Sequence, residues 1–347
     1  MKSRRPINVF FNKLPENDFD LERYFPFEVL FKHFDVKVTN NPENADIIFE
    51  MTIVGGKSFI DRKDKIVVIV SGENIFMRRT LFIWIERFMK LFVGNEEKYK
   101  IMDFLDKVIP YSIQDIQISQ YFKKYIDFIN STNGTNNKYV IWCNGERKNN
   151  KNIYNYPLFL ADFHYKIDDL TSKRKYKQKK NFCAFAVSSN SSRERVKFFR
   201  MLSRYKKVDS YGRVMNNIGP KFIGHWRNNP SIFSKYKFVI CFENSFVDDF
   251  VTEKITNVML SGAIPIYRGP KTVNDYFNTS SFINYEDYGS YKSMIRKIIE
   301  LDKNPKEYRK MVIKPWTNKT KIKMLKKRKE EELVRFYKNM FAKKIVL

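Results

Sequence analysis

Apolar residues in the first 75 positions fall into short runs separated by stretches of helical spacing. Ile7 to Phe11, Asp46 to Met51 and Lys65 to Val70 (KIVVIV) are such runs, and Leu21 to Phe34 carries its apolar residues at helical intervals. Runs that are apolar on both faces, with helices between them, predict a parallel sheet covered on both sides. Between about Ile75 and Tyr154 the pattern changes. Arg78 to Val93 and Ser112 to Ile129 read as long amphipathic helices, while Asn130 to Lys138 (NSTNGTNNK) and the Asn/Lys-rich Arg147 to Asn155 read as exposed loops. The alternation resumes with strand Asn181 to Val187, helix Arg193 to Ser203, and strands Val208 to Tyr211 and Lys237 to Phe242. Helix Glu253 to Leu260, strand Ile264 to Tyr267 and helix Tyr291 to Leu301 complete it. That order predicts a second α/β domain of the nucleotide-binding type.

The last stretch, Lys319 to Leu347, is dense in Lys and Arg, with Ile322, Met324, Leu325, Leu333, Phe336, Tyr337, Met340 and Phe341 at near-helical spacing. Two readings use the same amphipathic pattern. The helix could lie on an anionic membrane, each Lys or Arg near the surface adding about 1 kcal/mol. Or it could pack back on the body with its basic face solvated.

With 347 residues, 43% of them hydrophobic, the chain has apolar material for two cores, which excludes intrinsic disorder. The 65 Lys and Arg against 38 Asp and Glu leave a formal charge of +27, so an anionic partner is expected. Nucleic acid, a membrane surface and a phosphorylated substrate all satisfy that charge. No RNA-recognition or OB-type interleaving of basic and aromatic residues is visible, so nucleic acid is set aside. Cys143, Cys183 and Cys241 form no CxxC, and His33, His164 and His225 show no ligand spacing, so neither a disulfide framework nor a metal site is indicated. The basic N-terminus leads into about five apolar residues, fewer than a signal peptide needs, and no run of about 18 apolar residues occurs. A cytoplasmic protein without a transmembrane helix is expected, its sequon matches at Asn130, Asn133, Asn190, Asn278 and Asn318 unmodified.

The segment Tyr236 to Gly269 carries the chemistry. It reads as strand, polar loop, helix, strand, and it delivers Glu243, Asn244 and Ser245 to the carboxyl end of a buried strand, where open α/β sheets bind ligands. Thr252 is a natural N-cap, which puts Glu253 and Lys254 in the first helical turn. A lysine there is locally unfavourable, because the helix N-terminus already carries about half a positive charge. An anion would reverse the sign: backbone N–H groups and Lys254 together suit a diphosphate, and Glu253 suits sugar hydroxyls.

FENS, VTEK and SGAIPIYRG, in this order and spacing, closely resemble the donor-binding motif of the glycosyltransferase family 10 fucosyltransferases, the α-1,3/4-fucosyltransferases that use GDP-fucose. Asn181 to Arg195 (NFCAFAVSSNSSRER), Val208 to Arg213 (VDSYGR), Tyr156 to Tyr165 (YPLFLADFHY) and Ser71 to Asn74 (SGEN) extend the resemblance outward. The resemblance implies a GT-B architecture, two Rossmann-like domains facing across a cleft. Residues 1–160 would form the acceptor-side domain, with a helical insertion at about 75–155. Residues 161–318 would bind GDP-fucose, and 319–347 would form the terminal helix.

The reaction implied is inverting transfer of L-fucose from GDP-β-L-fucose to a GlcNAc hydroxyl of an N-acetyllactosamine-type glycan, with α-1,3 linkage first and α-1,4 or another acceptor second. By the same resemblance Glu73 is the general base. Arg195, with Arg193 as a nearby alternative, and Lys254 bind the diphosphate, and Asn244, Ser245, Glu253, Tyr211 and Gly212 complete the donor site. Phe250 stands where the family commonly has Tyr. Fixed cations would take the part a metal plays elsewhere, Asp248-Asp249 being only a weak candidate, so no cofactor or obligatory metal is expected. The aromatic stripe Phe82, Trp84, Phe88 and Phe92 reads as core packing rather than a sugar platform. The competing reading is a non-catalytic protein that binds a nucleotide sugar.

Overall fold

The computed structural model describes residues 5–12, 21–51, 58–71, 127–142, 150–161, 167–171, 174–187, 193–219, 229–244 and 246–342. The first half begins with β1 (Ile7–Asn12), α1 (Phe25–His33), β2 (Val36–Val38), β3 (Ile47–Met51) and β4 (Ile66–Ser71). It continues with β5 (Lys138–Trp142), β6 (Ile153–Asn155) and α2 (Ile167–Thr171). The strands form one sheet in the order β2-β1-β3-β4-β5-β6, every neighbouring pair parallel. All residues of β3 and β4 are buried, as expected of strands covered on both faces.

One departure from the sequence pattern lies in residues 138–155. This part of the region read as helices with exposed loops supplies β5, which begins at the end of the tract Asn130 to Lys138 and pairs with β4, and β6, which lies within the tract Arg147 to Asn155 and pairs with β5. KYVIW is too short and too closely flanked by Asn and Lys to announce itself. Its place is fixed by Tyr139, Val140, Ile141 and Trp142, all nearly inaccessible between the two faces of the sheet. The predicted helix Arg78 to Val93, the aromatic stripe and most of Ser112 to Ile129 lie outside the described residues.

The second half runs β7 (Asn181–Phe185), α3 (Arg193–Ser203), β8 (Val208–Ser210), α4 (Asn229–Phe233), β9 (Tyr236–Ile240), α5 (Glu253–Leu260) and β10 (Ile264–Tyr267). Then come α6 (Val273–Tyr276), β11 (Ile283–Asn284), α7 (Tyr285–Tyr288), α8 (Tyr291–Lys303) and α9 (Pro305–Val312). The parallel sheet has the order β11-β10-β9-β7-β8. On one face α3, α8 and α9 cover Phe185, Phe238, Ile240 and Ile266. On the other, α5 and its neighbours cover Ala184, Val239 and Tyr267. Local signals start these helices: Ser290 accepts the amide of Ser293 at 3.2 Å to cap α8, and Asn304 accepts that of Glu307 at 3.2 Å, with Pro305 opening α9.

The last helix, α10 (Lys319–Ala342), joins both halves. Ile322 and Leu325 enter the core beside α5, whereas Leu333, Phe336, Tyr337, Met340 and Phe341 pack with Phe25, Phe27, Phe49 and Tyr139 in the core of the first sheet. Tyr337 donates to the carbonyl of Pro26 at 2.9 Å, Tyr154 donates to that of Lys329 at 2.7 Å, and Lys32 pairs with Glu330 at 2.7 Å. Of the two readings of this helix, packing on the body is the one observed. Among the described residues of this stretch, the large apolar side chains that would enter a bilayer are consumed by the two cores, and Met324, 66% exposed, stands clear. No helix among the described residues is long and apolar enough to cross a membrane.

Candidate active site

The site is built at the carboxyl ends of β7, β9 and β10. Past β9, Glu243 stays alongside the chain that leaves β10, its amide donating to the carbonyl of Arg268 at 2.8 Å. Its carboxylate is wholly buried. Oε1 accepts the amide of Thr252 at 2.8 Å, the Thr252 hydroxyl lies 2.9 Å from Oε2, and Lys254 Nζ reaches Oε2 at 3.2 Å. Thr252 is the N-cap that the sequence predicts, its Oγ1 accepting the amide of Lys254 at 3.3 Å. Burial pushes the Glu243 carboxyl above its usual range, while the charge of Lys254 pulls the other way.

The awkward lysine of the first turn is thereby explained. A buried carboxylate eleven residues upstream is its counter-ion, so part of the compensation expected from a ligand is built into the protein. The motif reading placed Glu243 at the strand end without giving it a task. The signal was there: a charged residue directly after the apolar run VICF can stay buried only if it is paired. Lys254, with a side chain 26% exposed, still reaches solvent.

Asn244 follows, and its Oδ1 is buried with no hydrogen-bond partner among the described residues. A buried acceptor at the carboxyl end of a parallel strand suits the hydroxyl or amide donors of a ligand. Glu253 is partly exposed beside Lys254 in the same turn of α5. Arg195 lies in the first turn of α3, after β7, and is 3% exposed. Its neighbour Glu194 binds Arg268, the first residue beyond β10, and both meet the hydroxyl of Tyr291. Gly212 follows β8, where a Cβ would sit 2.0 Å from the carbonyl oxygen of Val187. No side chain fits there.

Two expected members of the site, Tyr211 and Phe250, have side chains engaged within the protein, and the weak metal candidate Asp248-Asp249 is split. The Tyr211 hydroxyl lies 2.7 Å from that of Tyr236, which donates to Asp209 at 2.8 Å, so its polar end is engaged within the domain. Phe250 is 1% exposed and packs with Ile60, Val67, Ile69 and Trp142 against the first sheet. Its ring joins the two halves. Asp248 and Asp249 do not form a pair: Asp249 is buried, adopts φ +64° and accepts the Tyr276 hydroxyl, while Asp248 is exposed. Glu73, two residues past β4, and Ser245, between Asn244 and Phe246, lie outside the described residues. A cleft lined by Asp249, Tyr276, Arg328 and Lys329 opens against α10, and none of the predicted donor residues lines it.

Two parallel α/β sheets, the second carrying a capped helix start with a lysine, a buried counter-carboxylate and an orphaned amide oxygen, make an arrangement suited to an anionic ligand at the strand ends. Residues 175–342, just under half of the chain, match the family described as glycosyltransferase family 10 (fucosyltransferase) C-term. The chain is 25% identical over 256 residues to a fucosyltransferase of Acanthamoeba polyphaga mimivirus, covering 66% of this chain and 42% of that protein. It is 33% identical over 133 residues to 4-galactosyl-N-acetylglucosaminide 3-alpha-L-fucosyltransferase 9 of Homo sapiens, covering 38% of this chain and 36% of the relative. It thus spans less than half the length of either. The crystal structure of an alpha1,3-fucosyltransferase with GDP-fucose superposes over 98% of this chain and 92% of its own, with a TM-score of 0.62 at 18% identity. The GT-B fold is shared.

Proposed function

We propose that this chain is a fucosyltransferase that moves L-fucose from GDP-β-L-fucose to a GlcNAc hydroxyl of an N-acetyllactosamine-type glycan, forming an α-1,3 linkage with inversion. The observation that carries the reading is the Glu243–Thr252–Lys254 arrangement at the start of α5, with the orphaned Oδ1 of Asn244 beside it in the chain. A fucosyltransferase relative crystallised with GDP-fucose supports the donor.

In this mechanism the bond from fucose C1 to the β-phosphate oxygen breaks, and its electron pair leaves with GDP. The acceptor oxygen forms the new bond at the opposite face of C1 and gives its proton to Glu73. Lys254, Arg195 and the amides of the first turn of α5 neutralise the departing diphosphate, which is where charge grows in the transition state. Glu253 and Asn244 hold donor hydroxyls. With two cations fixed by the fold, no divalent metal is required.

The test is transfer of labelled fucose from GDP-fucose to N-acetyllactosamine, with and without EDTA, against type 1 chain, lactose and a no-acceptor control. Label on the GlcNAc 3-hydroxyl that survives EDTA supports the whole reading. Label on the 4-hydroxyl shifts the linkage. GDP bound without any transfer would make the protein a nucleotide-sugar binder.

A further inference from the structure

Arg268 belongs to neither the capped turn of α5 nor the first turn of α3, yet it touches the residues that shape both. Its carbonyl accepts the amide of Glu243, the carboxylate that holds Lys254. Its Nη1 donates to the carboxylate of Glu194, the residue before Arg195, and to the hydroxyl of Tyr291, which donates in turn to Glu194. The guanidinium is boxed by three rings, with its carbon 4.2 Å from the centroid of Tyr285, 4.7 Å from Phe246 and 5.2 Å from Tyr291.

Such a network is an expensive way to gain stability. Two charged groups have been partly withdrawn from water, with side chains 20% and 34% exposed, and a pair of that kind is worth little more than well-packed apolar residues. What it supplies is direction. The planar fork of an arginine held by a carboxylate, a hydroxyl and ring faces has one orientation, and so fixes the carboxylate it holds.

We infer that Arg268 is a positioning residue of the donor site: acting through Glu194, it sets the first turn of α3 and thereby the place of Arg195 against the donor diphosphate. This rests on the donor reading above. Arg268 itself does not touch the donor.

The test measures GDP affinity by calorimetry, together with the thermal midpoint and steady-state kinetics, for wild type, Arg268→Leu, Glu194→Gln and the double variant. Each single change should weaken GDP binding and raise the KM for GDP-fucose about tenfold while kcat changes less, a loss of about 1.4 kcal/mol. The double variant should be no weaker than either single one, because both remove one coupled unit. Arg268→Lys, which keeps the charge without the fork, should recover only part of the loss. GDP affinity unchanged in both single variants would overturn the inference and leave the donor reading standing. Additive losses would overturn it in another way, by making Arg268 a donor contact in its own right. Should Arg268→Leu fail to fold, Glu194→Gln and Arg268→Lys decide by the same readouts. A wild-type protein that binds no GDP would sink the donor reading and the inference together.

Discussion

Lys254 Nζ lies 3.2 Å from Oε2 of Glu243, so the cation that opens α5 is held by a carboxylate with no access to water. Removing the lysine leaves that carboxylate buried without its charge partner. Lys254→Ala should therefore cost about 3 kcal/mol at neutral pH, besides weakening GDP binding. The pH dependence follows from the direction of the shift. Burial already raises the Glu243 carboxyl above its unfolded value, so the folded state binds this proton more tightly. Stability is then lost as pH rises from the unfolded value through the folded one. Without Lys254 the folded value climbs further, so the deficit against wild type should be large at about pH 8 and shrink toward about pH 5. Urea midpoints at the two pH values check this; a deficit independent of pH would contradict it.

Glu243→Gln keeps the shape and removes the charge that aims the lysine. The expected result is a fall of about tenfold or more in kcat/KM for the donor, because an undirected cation stabilises the leaving group less. Kinetics at saturating acceptor measure it.

Gly212 allows no side chain, since its Cβ would sit 2.0 Å from the Val187 carbonyl oxygen. The obstacle is backbone, which cannot rotate aside. Gly212→Ala should lower stability by about 1–3 kcal/mol, the usual cost of forcing atoms into a packed site. Differential scanning fluorimetry would show it, and an unchanged midpoint would mean that the chain after β8 yields easily.

Phe250 occupies the position where the resembling family commonly has Tyr, but its ring is 1% exposed in an apolar cluster. Restoring the hydroxyl should not restore a donor contact. Phe250→Tyr is expected to cost about 1–3 kcal/mol for an unpaired polar group and to leave GDP affinity as it was. Tighter GDP binding in the variant would place this ring on the donor side after all.

Much of the fold was legible because apolar runs such as KIVVIV cannot face water on either side. Thr252 likewise marked the start of α5 by its own chemistry. What was missed depends on neighbours distant in sequence. β5 exists because β4 offers it an edge, and β6 because β5 does. The polar ends of Tyr211 and Glu243 are assigned by Tyr236 and Lys254, which a one-dimensional pattern cannot bring together. The sequence named Lys254, Asn244 and Glu243, whereas the pairing of Glu243 with Lys254 and of Glu194 with Arg268 appears only once the carboxyl ends of three strands are seen side by side.

The seating of α10 has a consequence for how the protein is made. Tyr337 binds Pro26 across 311 residues of sequence, and Phe336, Met340 and Phe341 fill the core begun by Phe25 and Phe27. During synthesis the second sheet can gather nearly all of its core from residues already outside the ribosome. The first sheet, although translated first, must wait with an open apolar face until the last two turns emerge, so the order of synthesis and the order of completion are reversed.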